Sequence, residues 1–287
     1  MCCWVPTKGA PLPMGVRYEI FWRGEFCSRK GLLAMVTQSS IRVLPPSLQP
    51  GILRLRYELR RRLAEFPAVY LPYTTFRRRS ASKPGVPLTD GTEIVIEGFP
   101  RSANSFAVFA FGMAQGRTVR IARHLHAPAQ IIEAARRNIP CLVLMRDPEG
   151  TVLSNVIRTP YLSIKQILRA YVSFYSCILP YRNHYVLGLY NDVVTDFGSI
   201  IEKINRKFGT DFEVFVHSES NVQKCFELIE ERNRENYGRG KVIEDLVARP
   251  SNERKEKKKG LLTMFHADHL RGIRERAYEI CKLFTPD

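Results

Sequence analysis

The chain has little acidity to set against its basic residues: 28 Asp+Glu face 44 Lys+Arg in 287 residues, a net charge of +16. No uncharged run approaches the roughly 20 apolar residues a membrane-spanning helix needs; Tyr171 to Pro180 and Phe106 to Gln115 fall well short. The seven cysteines (2, 3, 27, 141, 177, 225 and 281) include no CxxC pair and no framework spacing, which favours scattered reduced thiols over a disulfide scaffold or a lipidated Cys2-Cys3. The first residues lack the basic region and apolar core of a secretory signal, so a cytoplasmic location is expected, with peripheral membrane contact as the alternative. What is present, 45% apolar and 25% charged residues, excludes wholesale disorder, collagen and coiled coil, and suffices for a large α/β core with an appendage.

The excess charge is unevenly placed. Residues 1–90 hold 15 Lys+Arg and 5 Asp+Glu, leaving 29 and 23 for residues 91–287, so the first third carries +10 of the +16. Within it, 51–66 predicts a cationic amphipathic helix ended by Pro67, with Ile52, Leu55, Leu59, Leu63 and Phe66 as its apolar stripe. Such a helix packs that stripe on the main domain or lies on an anionic membrane. Residues 73–91, rich in Ser, Thr, Pro, Gly and Arg, read as a flexible linker. The division expected is a basic N-terminal extension, 1–90, and a main domain, 92–287.

The chemistry begins at Glu93. "EIVIEG" has the pattern of a buried strand, "FPRSANSF" turns, and the run to Gln115 suits a helix. Against the P-loop pattern GxxxxGK[ST], Gly98 and Ser105 fit, but Ala103 replaces the second glycine and Asn104 the lysine, which disfavours an ATP-dependent phosphotransferase. What survives is an anion cradle made of a helix N-terminus with Ser102, Asn104, Ser105 and one cation, Arg101. A second constellation follows. "PCLVLM" is a strand covered on both faces, Arg146 stands at its carboxyl end, and Ser154 lies on the helix expected from Pro148. Ligands of open α/β sheets bind beyond such strand ends, so both turns can address one ligand, and Arg146 points to a second anionic group in place of a magnesium held by Asp147.

"EGFPRSANSF" resembles the 5′-phosphosulfate loop of the sulfotransferases, and "LVLMRDPEGTVLSNV" resembles their 3′-phosphate motif. The likeness covers residues 92–215 well, 216–287 weakly and 1–90 not at all. It implies a P-loop-like α/β fold, three-layer α/β/α with a central parallel sheet, and the donor 3′-phosphoadenosine 5′-phosphosulfate (PAPS) without a metal. It also implies site residues: Arg101, Ser102, Ala103, Asn104 and Ser105 as the 5′-phosphate loop, Phe106 and Tyr190 as aromatics beside adenine, and Arg146 and Ser154 as 3′-phosphate ligands. Asn191 departs from the family's usual glutamate. "HLHAP" is similar to the family's "KTHLP", which places His126 at the catalytic histidine and His124 where a lysine is common. If the preceding strand continues this far, the two histidines share a face. Lys258, Lys259 and Gly260 are similar to a loop over the 3′-phosphate, with Arg254 as a rival, although such a lysine-rich run is usually a solvated loop. His266 and His269 read as surface. Leu270, Ile273, Ala277, Ile280 and Leu283 should be the inward positions of a closing helix.

The reaction implied is sulfuryl transfer from PAPS, leaving 3′-phosphoadenosine 5′-phosphate (PAP). His126 takes the acceptor hydroxyl's proton and Arg101 clamps charge on the leaving oxygen. The acceptor is a carbohydrate, a glycolipid or a small alcohol or phenol. The alternative from another class is a non-catalytic basic protein that binds anionic membrane, glycan or nucleic acid, although nucleic acid is not needed to explain the charge.

Overall fold

The computed structural model describes residues 45–78, 85–238 and 240–285. Cys2, Cys3, Cys27 and the greater part of the expected N-terminal extension lie outside them. Four parallel strands form the centre: β1 (Ile94–Gly98), β2 (Ile121–Arg123), β3 (Cys141–Met145) and β4 (Val186–Leu189), in the order β2-β1-β3-β4. Ile94 pairs with Ile121, Val95 with Cys141 and Leu142 with Val186. β1 and β3 are buried along their whole lengths, as apolar strands covered on both faces must be.

Because side chains alternate along a strand, the central strands feed two cores. Val95, Cys141, Val143 and Met145 pack with α4 (Pro128–Arg136), α6 (Ile164–Ile178) and α11 (Arg271–Phe284). Ile94, Ile96, Leu142 and Leu144 face the opposite layer, α3 (Asn104–Ala114), α8 (Phe197–Phe208) and α9 (Glu219–Asn233). The fold is thus α/β in three layers around a parallel sheet. α5 (Pro148–Arg158) follows β3, the short α7 (Tyr190–Thr195) follows β4, and α10 (Asn252–Phe265) precedes the closing α11. The chain leaves β1 toward β2 on one side and then crosses back to β3 on the other, so the sheet's switch point lies between the turns that follow β1 and β3. Gly98 permits that join, since a Cβ there would collide with the Leu144 carbonyl oxygen.

α1 (Gln49–Leu63) and α2 (Pro67–Arg78) are docked on this body. The Ala129 amide donates to the Ala64 carbonyl at 2.9 Å, Arg54 Nε donates to the Tyr161 carbonyl at 2.6 Å, and Ala64, Tyr70, Leu71, Leu125, Ala127 and Ala129 make a small core. Two expectations change here. The linker read over 73–91 is helical as far as Arg78, and its far end is pinned where Val86 exchanges backbone hydrogen bonds with Arg123; residues 79–84 lie outside the described residues. The apolar stripe of the basic helix turns inward only in part: Leu63 packs against this small core and Ile52 is half-buried, whereas Leu55 is 62% exposed, Leu59 49% and Phe66 59%.

Two further differences concern the C-terminal third. The lysine-rich run read as a loop is the helix α10. Ser251 caps it, its hydroxyl accepting from the Arg254 amide, and the Lys257–Glu253 pair at 2.8 Å supports its first turns. In α11, Ala277, Ile280 and Phe284 are buried while Leu283 is exposed, because the inward face follows the i, i+3, i+7 spacing through Phe284. No helix among the described residues is long and apolar enough to cross a membrane.

Candidate active site

The turn after β1 carries the first part of the site. Arg101 and Ala103 both hold positive φ, 75° and 64°, and Ala103 forms the N-cap of α3 with no side-chain cap bond. The first amides of a helix have no partner within it, so this N-terminus offers unspent N–H donors and the positive end of the helix dipole. Asn104 anchors the turn by donating from Nδ2 to the Phe99 carbonyl at 2.9 Å; its buried Oδ1 has no hydrogen-bond partner. Ser105 borders a cavity of about 950 Å³, whereas Ser102, expected as a phosphate contact, is fully buried and does not line it.

The turn after β3 supplies Arg146, whose guanidinium lies 4.0 Å over the Tyr190 ring. Its buried Nε makes no hydrogen bond and stands 3.5 Å from the Asp147 carboxylate, which is itself largely exposed. Asp147 caps α5, accepting from the Gly150 amide at 2.5 Å. Arg101 Nε donates to Ser154 Oγ at 2.8 Å, so the residues implied as 5′- and 3′-phosphate contacts meet directly. Arg158, Arg254 and Lys258 complete a cluster of cations on the cavity wall. Burial first, then the charges of Arg158, Arg254 and Arg146, push Arg101 down to about 9. Burial and the charges of Arg146 and Arg101 push Lys258 down to about 8. Besides Arg146, Arg254 is also paired, with Glu244 at 3.2 Å; Arg101, Arg158 and Lys258 have no carboxylate within ion-pair distance among the described residues. Crowded positive charge of this kind favours an anion.

Both histidines border the same cavity. β2 ends at Arg123, so the strand expected to carry them stops short. His124 and His126 take left-handed φ values of 57° and 52°, and their rings stand 5.8 Å apart. Among the described residues, four of the five non-glycine positions with positive φ thus lie in this site, the fifth being Asn138. His126 Nδ1 is 2.8 Å from the Gly98 carbonyl. A carbonyl only accepts, so Nδ1 carries the proton and Nε2 is the ring nitrogen left to accept one. Burial, then the charges of Arg60, Arg158 and Arg101, push His126 down to about 4, which keeps it neutral at pH 7. His124, with Arg232 beside it at 3.5 Å, is held well below the usual histidine range, again mainly by burial.

Sequence reasoning missed Glu97. It is fully buried near the end of β1 and accepts from the Leu125 amide at 2.8 Å, Gln130 Nε2 at 3.0 Å and the Gly98 amide at 3.3 Å. Its Oε1 lies 3.6 Å from His126 Nδ1, and burial pushes its carboxyl up to about 7 against the pull of those donors. The available signal was a carboxylate inside a run that otherwise reads as a buried strand.

Other expected residues are placed apart. Phe106 is packed in an aromatic cluster with Phe197, Phe215 and Phe226 and only borders the cavity. Of the lysine-rich trio, Lys258 reaches the cavity, whereas Lys259 pairs with Glu256 at 2.8 Å and Gly260 is exposed on α10. His266 is exposed and bonds Glu149 at 3.1 Å, and His269 is exposed. Among the described residues no three His, Cys, Asp or Glu side chains converge as a metal site would require.

No family model matches the chain, and no curated protein matches it. Among solved structures it is similar to the crystal structure of mouse sulfotransferase SULT7A1 complexed with PAP, at 15% sequence identity and a TM-score of 0.36, over 67% of this chain and 90% of that one.

Proposed function

We propose that the protein is a sulfotransferase that uses PAPS as donor and a hydroxyl-bearing acceptor. The observation that carries this reading is the cation cluster at the switch point of the sheet. Arg101, Arg158 and Lys258, without carboxylate partners among the described residues, gather with Arg146 around an uncapped helix N-terminus and line one cavity with a histidine whose Nε2 is left to accept a proton. The residues fit the donor's two phosphate groups: the Arg101–Ser105 turn would hold one, and Arg146 with Lys258 the other. At about 950 Å³ the cavity is at the upper end of ligand pockets, typically about 300–1,000 Å³, with room for donor and acceptor together. Bound there, PAPS would supply a sulfuryl group on a phosphate that is stable as an anion.

The chain's own groups then divide the work. His126 Nε2 accepts the hydroxyl proton, and the carboxyl of Glu97, 3.6 Å from Nδ1, offsets the charge the ring acquires. Arg101 stays protonated at neutral pH and, with the first amides of α3, stabilises negative charge on the departing oxygen. His126→Ala should lower turnover by about 10²–10⁴-fold, the usual worth of a positioned acid or base, while PAP affinity is kept. Turnover that survives the substitution would remove His126 from the base's role.

A further inference from the structure

Outside the phosphate turns the same cavity is also walled by α1 and α2, which reach it with Arg56, Tyr57, Arg60, Tyr70, Tyr73 and Arg77. α1 turns only part of its apolar stripe inward, Leu63 packing against the small core while Ile52 is half-buried. Leu55 and Leu59 face solvent, whereas Arg56, Tyr57 and Arg60 line the cavity.

Among the described residues the hydrogen bonds of Arg60 and Arg77 go to neutral partners. Arg60 donates from Nε to the Tyr70 hydroxyl at 3.1 Å and from Nη2 to the Leu125 carbonyl at 2.9 Å. Arg77 donates to the Tyr73 hydroxyl at 2.8 Å. Among the described residues neither these two nor Arg56 has a carboxylate within ion-pair distance, although Arg61, one position further along, pairs with both Glu58 and Glu65. The wall is also distinct from the cation cluster of the phosphate turns. Arg60 donates within this wall, to Tyr70 and the Leu125 carbonyl, whereas Arg101 donates to Ser154 and the Val247 carbonyl. His126 borders the same cavity and is pushed down by burial first and then by the charges of Arg60, Arg158 and Arg101. Arg60 is tied to the carbonyl of the residue just before His126, so an anionic group held by Arg60 would stand beside the proposed base.

We infer that this wall is an acceptor subsite for a hydroxylated organic anion, in which a carboxylate or phosphate on the acceptor engages Arg56 and Arg60 and brings a hydroxyl of the same molecule to His126. The tyrosines supply rigid, amphipathic contact for the rest of that molecule. The inference rests on the sulfotransferase reading, and its test separates the two. Protein saturated with PAP is titrated calorimetrically with glucuronate, glucose 6-phosphate and glucose, so that the donor cluster is already filled; wild type is compared with Arg60→Gln, Arg56→Gln and the charge-preserving Arg60→Lys.

At least one of the acids should bind about tenfold or more tightly than glucose, as a charge-assisted contact requires. Arg60→Gln and Arg56→Gln should reduce that preference with PAP affinity unchanged, and Arg60→Lys should restore much of it. Preference for glucuronate alone assigns a carboxylate acceptor, and for glucose 6-phosphate alone a phosphorylated one. Equal binding of acids and glucose, no binding of either acid, or a preference indifferent to both glutamine substitutions overturns the subsite. Failure of PAP itself to bind the wild type overturns the donor reading instead; the same titrations without PAP then still read whether Arg56 and Arg60 confer a preference for acids.

Discussion

The two turns at the switch point begin alike, each a buried parallel strand running into a helix, and end differently. The β3–α5 turn caps its own helix with Asp147, and neither Arg146 nor Asp147 holds a positive φ, while the buried Arg146 Nε is left without a hydrogen bond. The β1–α3 turn leaves its helix uncapped, places two residues in the left-handed region and crowds a partly buried arginine against other cations. A turn that spends its amide donors on its own side chain leaves a ligand only its other side chains, here Arg146. One that keeps them, at the cost of strain and repulsion, is organised for a ligand that brings negative charge.

The contrast can be broken at its strongest point. Arg101→Ala should weaken PAP binding by about 10–100-fold, as the loss of a charge-assisted contact in an enclosed site does, and calorimetry reads it directly. Asp147→Ala should leave PAP affinity unchanged and lower unfolding stability by about 1 kcal/mol, the usual worth of an N-cap, measured by urea denaturation. Equal effects of the two substitutions on PAP would erase the distinction between the turns.

The Gly98 carbonyl joins the first turn to His126 and its neighbour Glu97, which gives the contrast a pH signature. Glu97, raised from 4.5 to about 7, holds its proton more tightly in the folded chain, so its contribution to stability falls as pH rises through that window. His126, lowered from 6.5 to about 4, acts in the opposite sense: the stability it gives is full above 6.5 and is lost as pH falls toward 4. The two oppose each other between 4.5 and 6.5. Glu97→Gln removes one of them, so stability of that variant should fall on acidification through this window by up to about 1.4 kcal/mol per pH unit relative to wild type. Parallel pH profiles for the two proteins would show that the groups are not opposed in this way.

The smallest expected effect concerns Ala103. An L-residue in the left-handed region costs about 1–2 kcal/mol, part of which glycine returns as entropy, so Ala103→Gly should raise stability by about 0.5–1 kcal/mol without loss of PAP binding.

Both turns were legible in the sequence because strands such as "EIVIEG" and "PCLVLM" have one structural solution: uninterrupted apolar runs must be covered on both faces, and the helices follow at Asn104 and Pro148. α1 was visible as a helix, but its faces were not. Apolar periodicity assumes that leucines turn inward, whereas Leu55 and Leu59 are exposed and Arg56 and Arg60 border the cavity. Glu97 escaped notice because its significance depends on Leu125, His126 and Gln130, nearly thirty residues or more away in the chain and adjacent only after β2 has paired with β1. The His124–His126 pair was placed near the site by its neighbours in sequence, yet the left-handed backbone that carries both rings left no trace in residue type, since neither position is glycine.

If the uncapped turn and its cations form a site for the donor nucleotide, the intact protein must bind PAP in solution. Calorimetric titration with PAP decides this, with ATP and magnesium as comparison and Arg146→Ala as control. PAP should bind without metal, more tightly than ATP, and more weakly after the substitution. A folded protein that ignores PAP, or binds it equally well without Arg146, would contradict the assignment.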